Sequence, residues 1–187
     1  AEFVAEIRVR LLDNLFPADA WCPACDCVLD RKGRHAAVCA SGGDRTRRHN
    51  CARNRIGHFA ASAGLNPELE KAGLLQPCPE QPGADRRRPA DVFLPSWPAA
   101  LDIAITSPHR LDAPSAAITT TGAAAEAYEH YKRSYLNTAE DCAAQGIEFR
   151  PIVGEPSGGW GPSAMCTFKA IARSISTDKD RSSAALT

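Results

Sequence analysis

Apolar residues recur along this chain with two different periods, and the changes of period mark its elements. Val4, Ile7, Val9, Leu11, Leu12, Leu15 and Phe16 are spaced for a short helix over residues 4–16 that packs on the segment after it. Residues 21–43 lose that rhythm and are rich in Cys, Gly and charge; Gly42-Gly43 close the segment. From 44 to 63 one helical stripe carries Ile56, Phe59, Ala60 and Ala63 and another carries Arg45, Arg48 and Arg55, with Gly64 as the stop. Strands are predicted over 69–75, 90–94 and 101–106. The last two form a hairpin about Pro95-Ser96-Trp97-Pro98. A second long helix spans 123–145, with Tyr128, Tyr131, Tyr135 and Cys142 along its apolar side and Gly146 behind it. The next element is a strand over 148–153. Gly158-Gly159-Trp160-Gly161-Pro162 makes a tight turn, and Met165, Phe168, Ile171 and Ile175 lie on a final amphipathic helix.

The order α, β, β, β, α, β, α predicts an α/β fold, a mixed β-sheet flanked by helices. The expected division is a lead-in and knuckle over 1–43, a main domain over 44–175 and a disordered tail over 176–187. With 187 residues, 44% of them hydrophobic, one ordinary core and a small appendage fit, but two full-sized domains do not. No apolar run approaches a membrane span and no leader pattern stands at the start, so a soluble, intracellular protein is expected.

Charge changes the picture through its distribution. The net charge is zero. Yet Arg31, Lys32, Arg34, Arg45, Arg47, Arg48, Arg53 and Arg55 face a single acid, Asp44, between residues 31 and 58, while carboxylates dominate from 91 to 155. Cations attract phosphate and acids hold divalent ions, so a phosphodiester substrate accounts for both halves.

The cysteines cluster instead of spreading as in a disulfide scaffold. Cys22-Pro23-Ala24-Cys25 puts two thiolates on one turn, and His35 and Cys39 complete the four N/S ligands that tetrahedral zinc takes. Cys27 and His49 are spare candidates. Four protein ligands leave no open position, so such a zinc is structural. Cys51, Cys78, Cys142 and Cys166 read as ordinary core or surface residues.

Two apolar strands each carry one aspartate: Arg88-Pro89-Ala90-Asp91-Val92-Phe93-Leu94 and Leu101-Asp102-Ile103-Ala104-Ile105-Thr106. A buried charge costs several kcal/mol unless paired or bound to a cation. Two neighbouring acids therefore point to a shared Mg²⁺ or Mn²⁺, against the plainer reading that Asp91 sits beside Arg88 and Asp102 pairs with a helix cation. Alternation puts Asp102, Ala104 and Thr106 on one face, where small residues leave room for a hydrated ion.

Together these residues resemble the PD-(D/E)XK nucleases, and more closely the restriction-like endonuclease of non-LTR retrotransposon proteins with its CCHC zinc knuckle. The likeness covers almost the whole chain. It rests on Cys22, Cys25, His35 and Cys39, on Gly42-Gly43 and Arg48-His49-Asn50, on Arg88-Pro89-Ala90-Asp91 and Leu101-Asp102-Ile103, and on Glu155 with Gly158-Gly159-Trp160-Gly161. It implies a restriction-endonuclease-like sheet, a divalent ion held by Asp91 and Asp102, and a lysine that positions the attacking water. It also implies a nuclear or otherwise intracellular setting, a reverse transcriptase domain in the same polyprotein, and a nick whose 3′ hydroxyl primes reverse transcription.

The pattern's lysine is absent: Ala104 stands two residues past Asp102. Lys132, one turn from Tyr128 and Tyr135, is the expected replacement, against a surface pair with Glu129; Lys71 is the fallback. Glu70 is a candidate third carboxylate, and Tyr135 and Glu155 are supporting residues. Arg31, Lys32, Arg34, Arg45, Arg48, Arg53, Arg55, Arg87 and Arg88 are expected to contact DNA phosphates. The rival expectations are a DNA-binding module without catalysis, and a junction resolvase or repair nuclease on the same scaffold.

Overall fold

The computed structural model of the chain describes residues 2–11, 13–75, 88–110 and 112–184. A central sheet is built from β3 (Glu68–Leu69), β4 (Val92–Leu94), β5 (Ala99–Ile105) and β6 (Glu148–Gly154), in that spatial order. β3 pairs with β4 and β4 with β5 antiparallel, whereas β5 and β6 run parallel over seven residue pairs, Ala99 opposite Glu148 to Ile105 opposite Gly154. A parallel pair needs a crossover, and α4 (Ala123–Ser134) and α5 (Thr138–Ala144) supply it.

Both faces of the sheet are covered. On one, Leu101 and Ile103 of β5 and Ile152 of β6 pack with Ile56 and Ala60 of α3 (Asp44–Ser62) and Ala164 and Ile171 of α6 (Pro162–Ala184). On the other, Ala100 and Phe149 meet Cys142 of α5, and Ala104 and Val153 meet Ala125 and Tyr128 of α4. The alanines at 100 and 104 let α4 and α5 approach closely. Burial on both sides explains why β5 reads as a nearly continuous apolar run.

Two carboxylates tie the helices down. Glu155, just past β6, accepts the N–H groups of Gly122, Ala124 and Ala125 at the start of α4, each at 3.1 Å. Glu129 of α4 accepts those of Ser163 (2.9 Å) and Ala164 (3.1 Å) at the start of α6. Both answer orphan donors at a positive helix end. These carboxylates also account for the glycine-rich turn. A Cβ at Gly159 would come within 2.7 Å of a Glu155 oxygen and of the Gly122 nitrogen, and one at Gly161 would overlap the Glu129 carboxylate.

Several elements differ from expectation. The strand predicted over 69–75 is only Glu68–Leu69, because Glu70 and Gly73 take positive φ (51° and 72°) and leave the ladder. The helix predicted over 123–145 breaks where Leu136 and Asn137 turn left-handed (φ 51° and 54°), an excursion asparagine tolerates. Tyr131 and Tyr135 are half exposed, not buried along the helix. At the start, α1 (Glu2–Arg10) is shorter than the predicted 4–16. Its Phe3, Val4 and Ile7 are exposed, as is Leu11 beyond it, while the amides of Leu15 and Phe16 bond to the Arg31 carbonyl. At the other end, α6 continues to Ala184 through the segment expected to be a disordered tail. Extending an existing helix needs no new nucleus, and Ser, Asp, Lys, Arg and Ala are all admissible there. No helix among the described residues is long and apolar enough to cross a membrane.

Glu129→Ala leaves buried donors at the start of α6 without acceptors and is expected to cost about 1–3 kcal/mol, read from urea unfolding. Unchanged stability would mean that water replaces the carboxylate.

Candidate metal centre and active-site cleft

The N-terminal knuckle folds around its cysteines. β1 (Ala20–Trp21) and β2 (Val28–Leu29) pair antiparallel, and the Cys22 N–H donates to the Cys27 carbonyl, closing the turn that carries Cys22 and Cys25. The short helix α2 (Arg34–Val38) brings in His35, and Cys39 comes directly after it. Cys25 Sγ stands 3.3 Å from His35 Nε2 and 3.9 Å from Cys39 Sγ. One ligand atom from each of Cys22, Cys25, His35 and Cys39 lies within 4.8 Å of the others.

This set can hold a metal such as zinc, and the spare candidates Cys27 and His49 stand outside it. The thiols differ in acidity. The Ala24 N–H, with further hydrogen bonds, brings Cys22 down to about 6. At Cys25 the Cys27 N–H pulls down, but desolvation and the neighbouring sulfurs push it up to about 12. A cation among these sulfurs would stabilise the thiolates that now compete for protons.

Asp91, just before β4, and Asp102 of β5 line a cleft of about 550 Å³ together with His49, Lys132, Arg45 and Arg110. Asp91 continues the ladder one residue before β4: its N–H donates to the Leu101 carbonyl at 2.9 Å, and its Oδ2 takes the Ile103 N–H at 2.6 Å in place of a backbone carbonyl. Its Oδ1 faces His49 Nε2 of α3 at 3.2 Å. Asp102, in the middle of β5, receives Lys132 from α4, whose Nζ lies 2.9 Å from Oδ2 and 3.1 Å from Oδ1.

Burial pushes the Asp102 carboxyl up despite the lysine that opposes it. Burial pulls Lys132 down, but the Asp102 charge and hydrogen bond, with Tyr128 and Asp91, carry it above its usual value. The ammonium is therefore held charged in the cleft. His49 is raised by its hydrogen bond to Asp91, against burial, with help from the charges of Asp91 and Glu70.

The structure thus brings together Asp91, Asp102 and Lys132. Glu129, the alternative partner of Lys132, turns instead to the start of α6. Asp102 does pair with a helix cation, as the plainer reading held, and the cation is the expected replacement lysine. Glu70 is near: it forms a group with His49 and Asp91 whose ligand atoms all lie within 4.8 Å, while bonding Arg53 and standing 3.9 Å from Arg88. Lys71 pairs with Glu68 at 2.5 Å and takes no part in lining the cleft. Tyr135 also lies outside it, its ring 5.4 Å from that of Tyr131. Glu155 serves as the cap of α4.

The basic residues divide by what they touch. Arg31, Lys32, Arg34, Arg45, Arg55 and Arg88 are exposed. Arg48 instead points back to the knuckle, donating to the carbonyls of Ala36 and Ala37 at 3.2 Å and of Cys39 at 3.4 Å. Arg53 is engaged with Glu70 and mostly buried. Both, expected at DNA phosphates, are thus engaged within the protein, and Arg48 also lines the cleft. Arg87 and Cys78 lie outside the described residues. Cys142 is buried, and Cys51 and Cys166 are exposed.

The sequence offered His49 as a spare zinc ligand and within the Arg48-His49-Asn50 motif of the resemblance, without placing it beside the acids, and did not single out Arg110. The signal for His49 was present. It lies four residues after Arg45 and four before Arg53, on the same stripe of α3.

Comparison of the chain with protein families, with curated protein sequences and with solved structures finds no match.

The full chain is expected to bind about one zinc through the knuckle, with Cys25→Ser weakening it and a strong chelator melting the amide signals of residues 20–39. Retention of those signals without metal would overturn the assignment. The raised His49 also makes stability depend on pH. Attraction of its imidazolium to Asp91 is fully present below about pH 6.5 and is lost as pH rises through the elevated folded value. Wild type should therefore lose more stability than His49→Asn between pH 6 and 9 in parallel urea titrations.

Proposed function

We propose that this chain is a divalent-metal-dependent DNA endonuclease of the restriction-like class, with a structural zinc knuckle. The observation that carries this reading is the convergence of Asp91, Asp102 and Lys132 on one cleft. These residues come from a strand entrance, a strand middle and a helix, and packing alone does not call for such a meeting. The missing strand lysine at position 104 is answered in space by Lys132. The mixed four-stranded sheet with helices on both faces supports the same class.

The donor set fits a hard cation, since Mg²⁺ and Mn²⁺ bind through few carboxylates and keep several waters, for which the cleft has space. Held by Asp91 and Asp102, such an ion would supply positive charge beside the scissile phosphate and make water more acidic. Lys132, kept charged by Asp102, orients the attacking water and faces the charge that develops on the phosphoryl oxygens. The Ile103 N–H and His49 fix the Asp91 carboxylate before substrate arrives. Arg45 at the cleft and the exposed Arg31, Lys32 and Arg34 on the knuckle meet the DNA backbone, contacts that position the duplex without reading its sequence. The place of such a nick in retroelement insertion, beside a reverse transcriptase, derives from the sequence resemblance.

A second reading has its own support. Each acid already faces a protein cation, His49 or Lys132, as in a binding module that has lost catalysis.

Nicking of supercoiled plasmid with Mg²⁺ or Mn²⁺ separates the two. Asp91→Ala and Asp102→Ala are expected to abolish cleavage while DNA binding persists, and Lys132→Ala to slow it by about 10²–10³-fold. Binding without cleavage by the intact chain would establish the module. A preference for branched over linear duplex would identify a resolvase.

A further inference from the structure

We infer that His49, Glu70 and Asp91 form a three-ligand site for a first-row transition-metal cation, which binds Mn²⁺ in preference to Mg²⁺. The inference deepens the endonuclease reading by setting His49 and Glu70 beside Asp91 as ligands, in place of the Asp91–Asp102 pair alone, and it rests on that reading only for the ion's use in cleavage.

The ligands come from three elements. His49 projects from α3, Glu70 comes after the last residue of β3, and Asp91 precedes the first of β4. Their donor atoms all lie within 4.8 Å of one another. His49 Nε2 and Asp91 Oδ1 are 3.2 Å apart. Two donors each about 2.1 Å from one ion and at right angles to each other stand about 3 Å apart, so an ion could replace the direct contact with little movement. Arg53 engages Glu70 through Oε1, and among the described residues Arg88, at 3.9 Å, is the cation beside Oε2. Asp91 Oδ2 is committed to the Ile103 N–H, so Oδ1 faces the site. Asp102, engaged by Lys132, falls outside this group and lines the same cleft.

The imidazole decides the kind of ion. Mg²⁺ prefers oxygen ligands and holds its water tightly, whereas one nitrogen and two carboxylate oxygens suit Mn²⁺ and the later divalent metals. Arg53 and Arg88 hold the third carboxylate, Glu70, beside His49 and Asp91.

The test uses the full, zinc-loaded chain without DNA. Titration with Mn²⁺, monitored by loss of the free-ion electron paramagnetic resonance signal, is expected to show one Mn²⁺ bound per chain. Mg²⁺ should displace it only at tenfold or greater excess. Pulsed measurements on the bound Mn²⁺ should show coupling to an imidazole nitrogen, a readout that needs no variant. His49→Gln and, separately, Glu70→Gln should each weaken Mn²⁺ binding by 10- to 100-fold, while His49→Gln changes Mg²⁺ binding less than threefold. Absence of nitrogen coupling, or equal competition by Mg²⁺, would overturn the site. Mn²⁺ binding with nitrogen coupling but no plasmid nicking would keep this site and remove the endonuclease. Nicking with no such coupling would do the reverse.

Discussion

The parallel pairing of β5 with β6, buried on both faces, is the constraint on which the rest of the molecule depends. Its apolar side chains have to be covered twice, by α3 and α6 on one side and by α4 and α5 on the other. Fully burying a Leu or Ile contributes roughly 1.5–3 kcal/mol, and Leu101, Ile103, Ile152 and Ile171 are at most 2% exposed. The crossover that parallel strands require carries Lys132 over the strand that carries Asp102. The site is therefore a by-product of topology: the helix that completes the core also delivers the cation.

Charge inside this core is placed with care. Glu129 is buried, and burial pushes its carboxyl up even though two helix-end N–H groups favour its ionised form. It and Glu155 act as anchors, joining β6, α4 and α6 through backbone donors that would otherwise lack partners. The acids of the cleft are handled differently. Asp91 and Asp102 keep partial access to solvent and face side chains, an imidazole and an ammonium. The anchoring acids meet backbone donors, whereas Asp91 and Asp102 each face a cationic side chain.

Arg48 joins the knuckle to the main sheet. Its guanidinium holds carbonyls at and just before Cys39, and the next residue, His49, reaches Asp91. A single helical turn of α3 thus touches both the cysteine cluster and the cleft. Ala37 and Val38 of the knuckle also line that cleft, so the small appendage forms one of its walls.

Much of this was legible in the order of residues. The period-3.6 stripe of α3, the hairpin of β4 and β5, and the strand at β6 come from local patterning, as does the Cys22, Cys25, His35, Cys39 spacing, because each depends on neighbours a few positions away. The failures were also local in origin. Tyrosines at helical spacing read as a buried stripe, yet the helix breaks at Leu136 and Asn137, and Tyr131 and Tyr135 are left half exposed. The strand predicted over 69–75 had the right apolar content, but two residues with positive φ end it early. What the chain order determined by itself was which residues are able to be buried, capped or metal-bound, since those are properties of side chains and their spacing. Which acid meets which cation was decided only in three dimensions, by the crossover that sets Lys132 on Asp102 and the packing of α3 on the sheet that sets His49 on Asp91. Electrostatic partners are chosen by distance through space, which sequence separation does not encode.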